Sequence, residues 1–186
     1  MNSEHLELLV SDGWRELLRD FIVPWALGAT DLDDDVVEGG PGPGLTTDLL
    51  RTMVPRLTAV ELDSQLAADL ATRLEGTNVE VINSDATAMP FENGRFSAAV
   101  SFTMLHHVPT VALQNDLFAD VARVLRPGGV FIASDSVASD ELATLHTDDT
   151  YNPVDPATVE HRLADEGFRS IDVRSNKFGW TALART

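Results

Sequence analysis

The chain has no cysteine among its 186 residues. That excludes a disulfide framework and any thiolate metal site, and it suits a reducing compartment. Long apolar runs are also missing. The longest, residues 21–29, is interrupted by Pro24 and falls well short of the roughly 20 apolar residues that a membrane-spanning helix needs. Residues 1–10 are acidic and lack the basic-then-apolar design of a secretory leader, so no membrane span and a cytoplasmic location are expected. Positive charge is scarce: 13 Lys and Arg stand against 30 Asp and Glu, a formal net charge of −17. The basic residues are scattered and form no stripe, so a nucleic-acid partner would meet long-range repulsion. No internal repeat or low-complexity tract is present. The length and the 44% apolar content suit one domain over 1–186, with 1–30 as a helical cap and 31–186 as the core.

What is present is concentrated in a glycine-proline loop, Glu38-Gly39-Gly40-Pro41-Gly42-Pro43-Gly44. It follows an apolar strand and opens an amphipathic helix. Alternating Gly40, Gly42 and Gly44 allow sharp turns and close backbone approach to a ligand, and the helix start presents unpaired N–H groups. A dinucleotide fingerprint, G-x-G-x-x-G, fails in both registers, because Leu45 or Pro41 stands where a glycine is required. A P-loop fails as well, since Leu45 and Thr46 follow Gly44 where Lys and Ser or Thr belong.

Downstream, acids recur at strand ends. The strand 57–62 ends at Glu61, placed to accept hydrogen bonds from ribose hydroxyls. The strand 79–83 leads into Ser84-Asp85-Ala86, with Asp85 on the same edge and suited to an exocyclic amine. A fourth strand, 96–102, opens into Thr103-Met104-Leu105-His106-His107, and a fifth, 130–134, follows the helix stop and turn Leu125-Arg126-Pro127-Gly128-Gly129. Helices are expected over 4–27 with a break at Ser11-Asp12-Gly13, and over 45–54, 64–75 and 111–125, with a late helix beginning at Asp155-Pro156. Two short strands near 170–174 and 178–184 close the pattern. Strand–helix alternation implies a parallel sheet, and a tight turn near Asn176 makes the last strand antiparallel.

In this order and spacing the chain resembles the class I S-adenosylmethionine-dependent methyltransferases in their compact small-molecule form. The matching residues are the 38–44 loop, Glu61, Asp85-Ala86 with Met89-Pro90-Phe91, the strand from Phe96 leading to Leu105-His106-His107-Val108, and Leu125 to Gly129. The resemblance covers most of the chain from the thirties onward. It implies an α/β, doubly wound, Rossmann-like sheet of seven strands, mostly parallel with an antiparallel last strand and helices on both faces. Gly39 departs from the family pattern, which has an aliphatic residue there; the substitution removes a packing side chain and opens space beneath the loop. The loop and the stretch Ala59 to Asp63 also resemble adenine-dimethylating ribosomal RNA methyltransferases. Those carry an Asn-Leu-Pro-Tyr type motif after strand four, where this chain reads Ser101-Phe102-Thr103-Met104.

The resemblance implies S-adenosyl-L-methionine as cofactor, contacted by Glu38, Gly39, Gly40, Pro41, Gly42, Gly44, Glu61, Leu62, Ser84, Asp85, Ala86, Ser101, Phe102 and Met104. His107 is the first candidate general base, with His106 and His146 behind it; of two adjacent histidines, one is expected to face the pocket and the other to pack. Ser11, Asp12, Trp14, Asp135 and Tyr151 are candidate acceptor contacts. Asp135 with Asp148 suits a hard cation only in principle, and no spacing specifies a metal. The expected reaction is O-methylation of a small polar hydroxylated acceptor, a sugar or other metabolite, by in-line transfer. The alternatives are C- or N-methylation of a lipid, quinone-like or other small acceptor, and a non-catalytic cofactor-binding protein on the same fold. A homodimer stays open as an arrangement.

Overall fold

The computed structural model describes residues 3–186, with side chains from residue 6; residues 1 and 2 of the expected helical cap lie outside this range. Its strands are β1 (Asp35–Gly39), β2 (Arg56–Glu61), β3 (Val79–Asn83), β4 (Phe96–Phe102), β5 (Leu125–Ser136), β6 (Arg169–Ser175) and β7 (Gly179–Arg185). They form one seven-stranded sheet in the order β3-β2-β1-β4-β5-β7-β6. The first five are parallel, and β7 runs antiparallel to both β5 and β6. The last strand therefore inserts beside β5 and leaves β6 at the edge. Its inner residues explain this: Trp180, Thr181, Ala182 and Ala184 are fully buried, whereas β6 is mostly exposed.

The central strands read as apolar runs because both faces are covered. On one face Val37, Ala99, Phe96 and Phe131 pack with Phe118 and Leu117 of α6 (Val111–Val124) and with Val159 and Leu163 of α8 (Pro156–Asp165). On the other, Val36, Leu57, Ala98 and Ile132 pack with Leu50 of α4 (Leu45–Leu50) and with Val23 and Ala26 of α3 (Val23–Leu27). Side-chain caps fix the entries of α5 (Ser64–Arg73) through Asp63, α6 through Thr110 and α8 through Asp155.

Several local expectations change. The N-terminal segment is divided more finely than the single break at residues 11–13: α1 (Ser3–Leu9) and α2 (Asp12–Leu17) precede a π turn at Leu18–Ile22, and α3 packs into the sheet's core. Pro24 has no N–H to return to the carbonyl four residues back, and the wider π turn lies just ahead of it. The helix expected to run to residue 54 ends at Leu50. The turn at 125–129 lies inside β5, where register passes from Phe96↔Leu125 to Ala98↔Val130, so residues 126–129 form a bulge with Gly128 left-handed. Among the described residues no helix is long and apolar enough to cross a membrane.

Candidate functional site

The carboxyl ends of β1, β2, β3 and β4 converge on a cavity of about 390 Å³. Near the end of β1 lies Glu38, which is 1% exposed and accepts hydrogen bonds from Thr46 Oγ1 at 2.6 Å and Thr47 Oγ1 at 2.7 Å. Burial pushes its carboxyl up to about 7, against the lowering effect of the two threonines and with help from the negative charges of Asp48 and Glu61. Glu38 therefore braces the start of α4 and is not among the residues lining the cavity.

The three loop glycines serve different ends. Gly40 is left-handed, and a Cβ there would overlap Met104 Cγ; its N–H donates to Val60 O at 2.9 Å. Gly44 is also left-handed, but a Cβ there would strike Leu70 and Arg73 of α5. Its left-handed backbone serves the entry of α4 close against α5, and it is not on the cavity wall. Gly42 donates its N–H to Glu61 Oε2 at 2.9 Å, while Glu61 Oε1 accepts from Asp63 N–H at 2.9 Å. Arg73 holds the loop from outside through Asp48 and the Pro43 carbonyl. Gly39 sits over a gap of about 10 Å³ shared with Ala86, Ser101 and Met104. A Cβ there would make ordinary contacts of 3.6 Å with Ala86 and Met104.

Asp85 lies exposed at the cavity edge, its Oδ1 accepting from the Thr87 N–H and hydroxyl, both at 2.8 Å. Ser84 and Ser101 are not on the wall. β4 is followed by Thr103, a β-branched residue held at φ 51°, with its N–H on Ser134 O at 2.7 Å. That strained conformation turns the chain so that Met104 and His107 reach the cavity.

Of the histidine pair, His107 lines the cavity and His106 is buried. His106 Nδ1 donates to Asp135 Oδ1 at 2.6 Å, and its backbone N–H donates to Asp135 Oδ2 at 3.0 Å. Asp135, whose side chain is 0% exposed, is thereby a brace for His106. Its carboxylate is turned to His106, away from the cavity wall and from Asp148. His146, at the end of α7 (Asp140–Leu145), is buried beside the pair, its Nδ1 donating to the Leu142 carbonyl at 2.6 Å. Tyr151 stacks on His146 at 4.7 Å and does not line the cavity. Gln114 ties these segments together, donating to the carbonyls of Leu105 at 3.0 Å and Asn152 at 2.9 Å.

The cavity thus gathers Gly40, Pro41, Gly42, Glu61, Leu62, Asp85, Ala86, Phe102, Met104, His107 and Trp14. It leaves out Glu38, Gly39, Gly44, Ser84, Ser101, His106, His146, Ser11, Asp12, Asp135 and Tyr151. Ser11 instead caps α2 by accepting from Trp14 N–H at 3.2 Å, and Asp12 is exposed in that helix's first turn. Sequence reasoning missed Asp63, Thr87, Thr103, Asp149 and Thr150 on the wall, with Leu9 and Leu18 from the N-terminal helices. Asp63 follows Glu61 closely enough to have been inferred; the others carry no local pattern.

Over residues 37–133 the sequence matches the model of a family described as methyltransferase domain. It is 28% identical over 100 residues to a probable S-adenosylmethionine-dependent methyltransferase of Mycolicibacterium smegmatis, covering 54% of this chain and 37% of that protein. It is 32% identical over 77 residues to the ribosomal RNA small subunit methyltransferase A of Metamycoplasma arthritidis, covering 41% and 28%. The matches thus span well under half the length of these relatives. The crystal structure of a SAM dependent methyltransferase from Aquifex aeolicus superposes with a TM-score of 0.76 at 17% identity, covering 100% of this chain and 98% of that one. At that identity the likeness is one of fold.

Proposed function

The chain belongs to the methyltransferase domain family, with S-adenosylmethionine as its cofactor, and from that premise we propose that it methylates a hydroxyl of a small polar acceptor. The same reading takes residues 1–186 as one domain. The residues present fit the cofactor. Each Glu61 oxygen accepts one backbone N–H and keeps a second lone pair suited to a vicinal diol. Asp85 offers an acceptor to an amine, and the cavity volume falls in the range of about 300–1,000 Å³ usual for such ligands. When bound, the cofactor supplies an electrophilic methyl group on a sulfonium.

The observation that carries the reading is His107 on the wall of the same cavity as Gly40, Glu61 and Asp85. Its imidazole takes the proton of the acceptor hydroxyl, and Met104, Phe102 and the apolar side chains of Leu9, Trp14 and Leu18 exclude water around it. RNA methylation is the second reading, favoured by the ribosomal RNA methyltransferase relatives; the net charge of −17 opposes it.

The test is transfer from methyl-labelled cofactor into a cell extract. Label in small soluble molecules is expected, and His107→Ala should lower turnover roughly 10²–10⁴-fold. Label in RNA would replace this reading with the second. Cofactor binding without transfer to any component would make the protein a non-catalytic binder, and unchanged turnover in His107→Ala would remove the base.

A further inference from the structure

Three of the chain's histidines meet at one place. His106 and His107 lie on a 3-10 turn after β4, and His146 arrives from the end of α7. Their ring centroids are 4.2, 4.9 and 5.0 Å apart, and one ring nitrogen from each lies within 4.8 Å of the others. Two of the rings are oriented by oxygen acceptors at Nδ1: Asp135 for His106 and the Leu142 carbonyl for His146, each at 2.6 Å. A carbonyl or carboxylate can only accept, so Nδ1 carries the hydrogen and the lone pair of the neutral ring belongs to Nε2. This arrangement, a carboxylate or backbone carbonyl behind an imidazole, is the one that fixes tautomer and orientation in metal-ligating histidines.

The supports reach further. Asn152 N–H donates to the His106 carbonyl at 2.7 Å, and Gln114 clamps Leu105 to Asn152 while Arg162 donates to Gln114 Oε1 at 2.9 Å. Tyr151 covers His146. The two segments bearing the imidazoles are therefore held in one arrangement by buried polar groups.

We propose that His106, His107 and His146 form a binding site for a divalent late transition metal ion, of which zinc is the reference case. Three neutral imidazoles are the donor set of open zinc sites, whereas magnesium and calcium require oxygens. Tetrahedral zinc, with Zn–N near 2.0–2.1 Å, needs nitrogens about 3.4 Å apart, so the set, now within 4.8 Å, would have to draw together around the ion. His107 is the only one of the three on the cavity wall, and the fourth position opens there. An acceptor hydroxyl bound at that position would be acidified by the ion, with His107 then acting as ligand instead of base and the proton passing to water at the cavity mouth beside the exposed Asp85. That use rests on the O-methylation reading; ion binding itself does not.

The test uses the tag-free full chain after chelator treatment, titrated with Zn²⁺ by calorimetry and with Co²⁺ by visible absorption. One saturable equivalent per chain and the intense visible bands of low-coordinate Co²⁺ are expected. His107→Gln and His146→Gln should each weaken binding by about 100-fold or more, and Asp135→Asn, a positioning change, by about 10–100-fold. The exposed His161→Ala should leave binding intact. Circular dichroism checks each fold, and His107→Gln carries the test if a buried variant fails. Absence of a saturable equivalent, or binding untouched by His107→Gln, overturns the site. S-adenosylhomocysteine affinity measured on the same samples reports the cofactor cavity separately.

Discussion

Replacing Glu38 by Gln should flatten the dependence of stability on pH across the acid range. Glu38 is buried and held by two threonine hydroxyls, and burial raises its carboxyl from 4.5 to about 7. The folded state therefore binds the proton more tightly than the unfolded state. Its stabilising contribution is full below the unfolded value and is lost as pH rises through the folded one, at up to about 1.4 kcal/mol per pH unit. With those two values the loss between pH 5 and pH 8 is about 2.5 kcal/mol. Gln keeps the shape. Its amide oxygen accepts from one threonine and its NH₂ donates to the other, whose hydroxyl turns to accept. Urea unfolding followed by tryptophan fluorescence at several pH values, on both proteins, isolates the term, because the other carboxylates cancel in the difference. The stability of wild type relative to Glu38→Gln should fall by about 2.5 kcal/mol from pH 5 to pH 8. Parallel curves, with a difference constant to about 0.5 kcal/mol, would refute the raised carboxyl.

Neighbouring loop glycines should respond with opposite sign. Gly39→Ala fills the small gap with a Cβ at ordinary contact distance from Ala86 and Met104. A gain of about 0.5–1 kcal/mol in urea unfolding is expected, with cofactor affinity kept; a clear loss would mean that the loop cannot take the side chain. Gly40→Ala forces a left-handed alanine against Met104 and should cost about 2 kcal/mol or more. Part of that loss should return in Gly40→Ala/Met104→Ala, and an uncorrected double variant would show that Met104 is not the obstacle.

The loop and the sheet were legible in the sequence because their signals are local. Glycines and prolines break β1 from α4, and acids stand at the ends of β2 and β3 because the chain turns there. Whether a particular acid faces a ligand or a buried neighbour is not local. Glu38 and Asp135 look like site carboxylates, yet each is spent on groups from another segment, Thr46 and Thr47 in one case and His106 in the other. Gly44 shows the same limit in part: its left-handed turn is local, but its close approach to Leu70 and Arg73 of α5 is not encoded in any loop pattern. The meeting of His146 with His106 and His107 depends on how the segment after β5 folds back over the turn after β4. The insertion of β7 between β5 and β6 depends on the burial of Trp180 and Ala182. Neither has a sequence period to announce it.

In the proposed function, Glu61 and the Gly40–Gly42 loop hold the methyl donor in this cavity. Isothermal titration with S-adenosylhomocysteine, on wild type and on Glu61→Ala, tests it most directly. Wild type should bind one equivalent. Glu61→Ala should lose roughly 10–100-fold or more in affinity, about 1.5–3 kcal/mol for hydrogen bonds to a charged acceptor, while remaining folded. No binding by wild type, or equal affinity in a folded Glu61→Ala, would remove the methyl donor from this cavity.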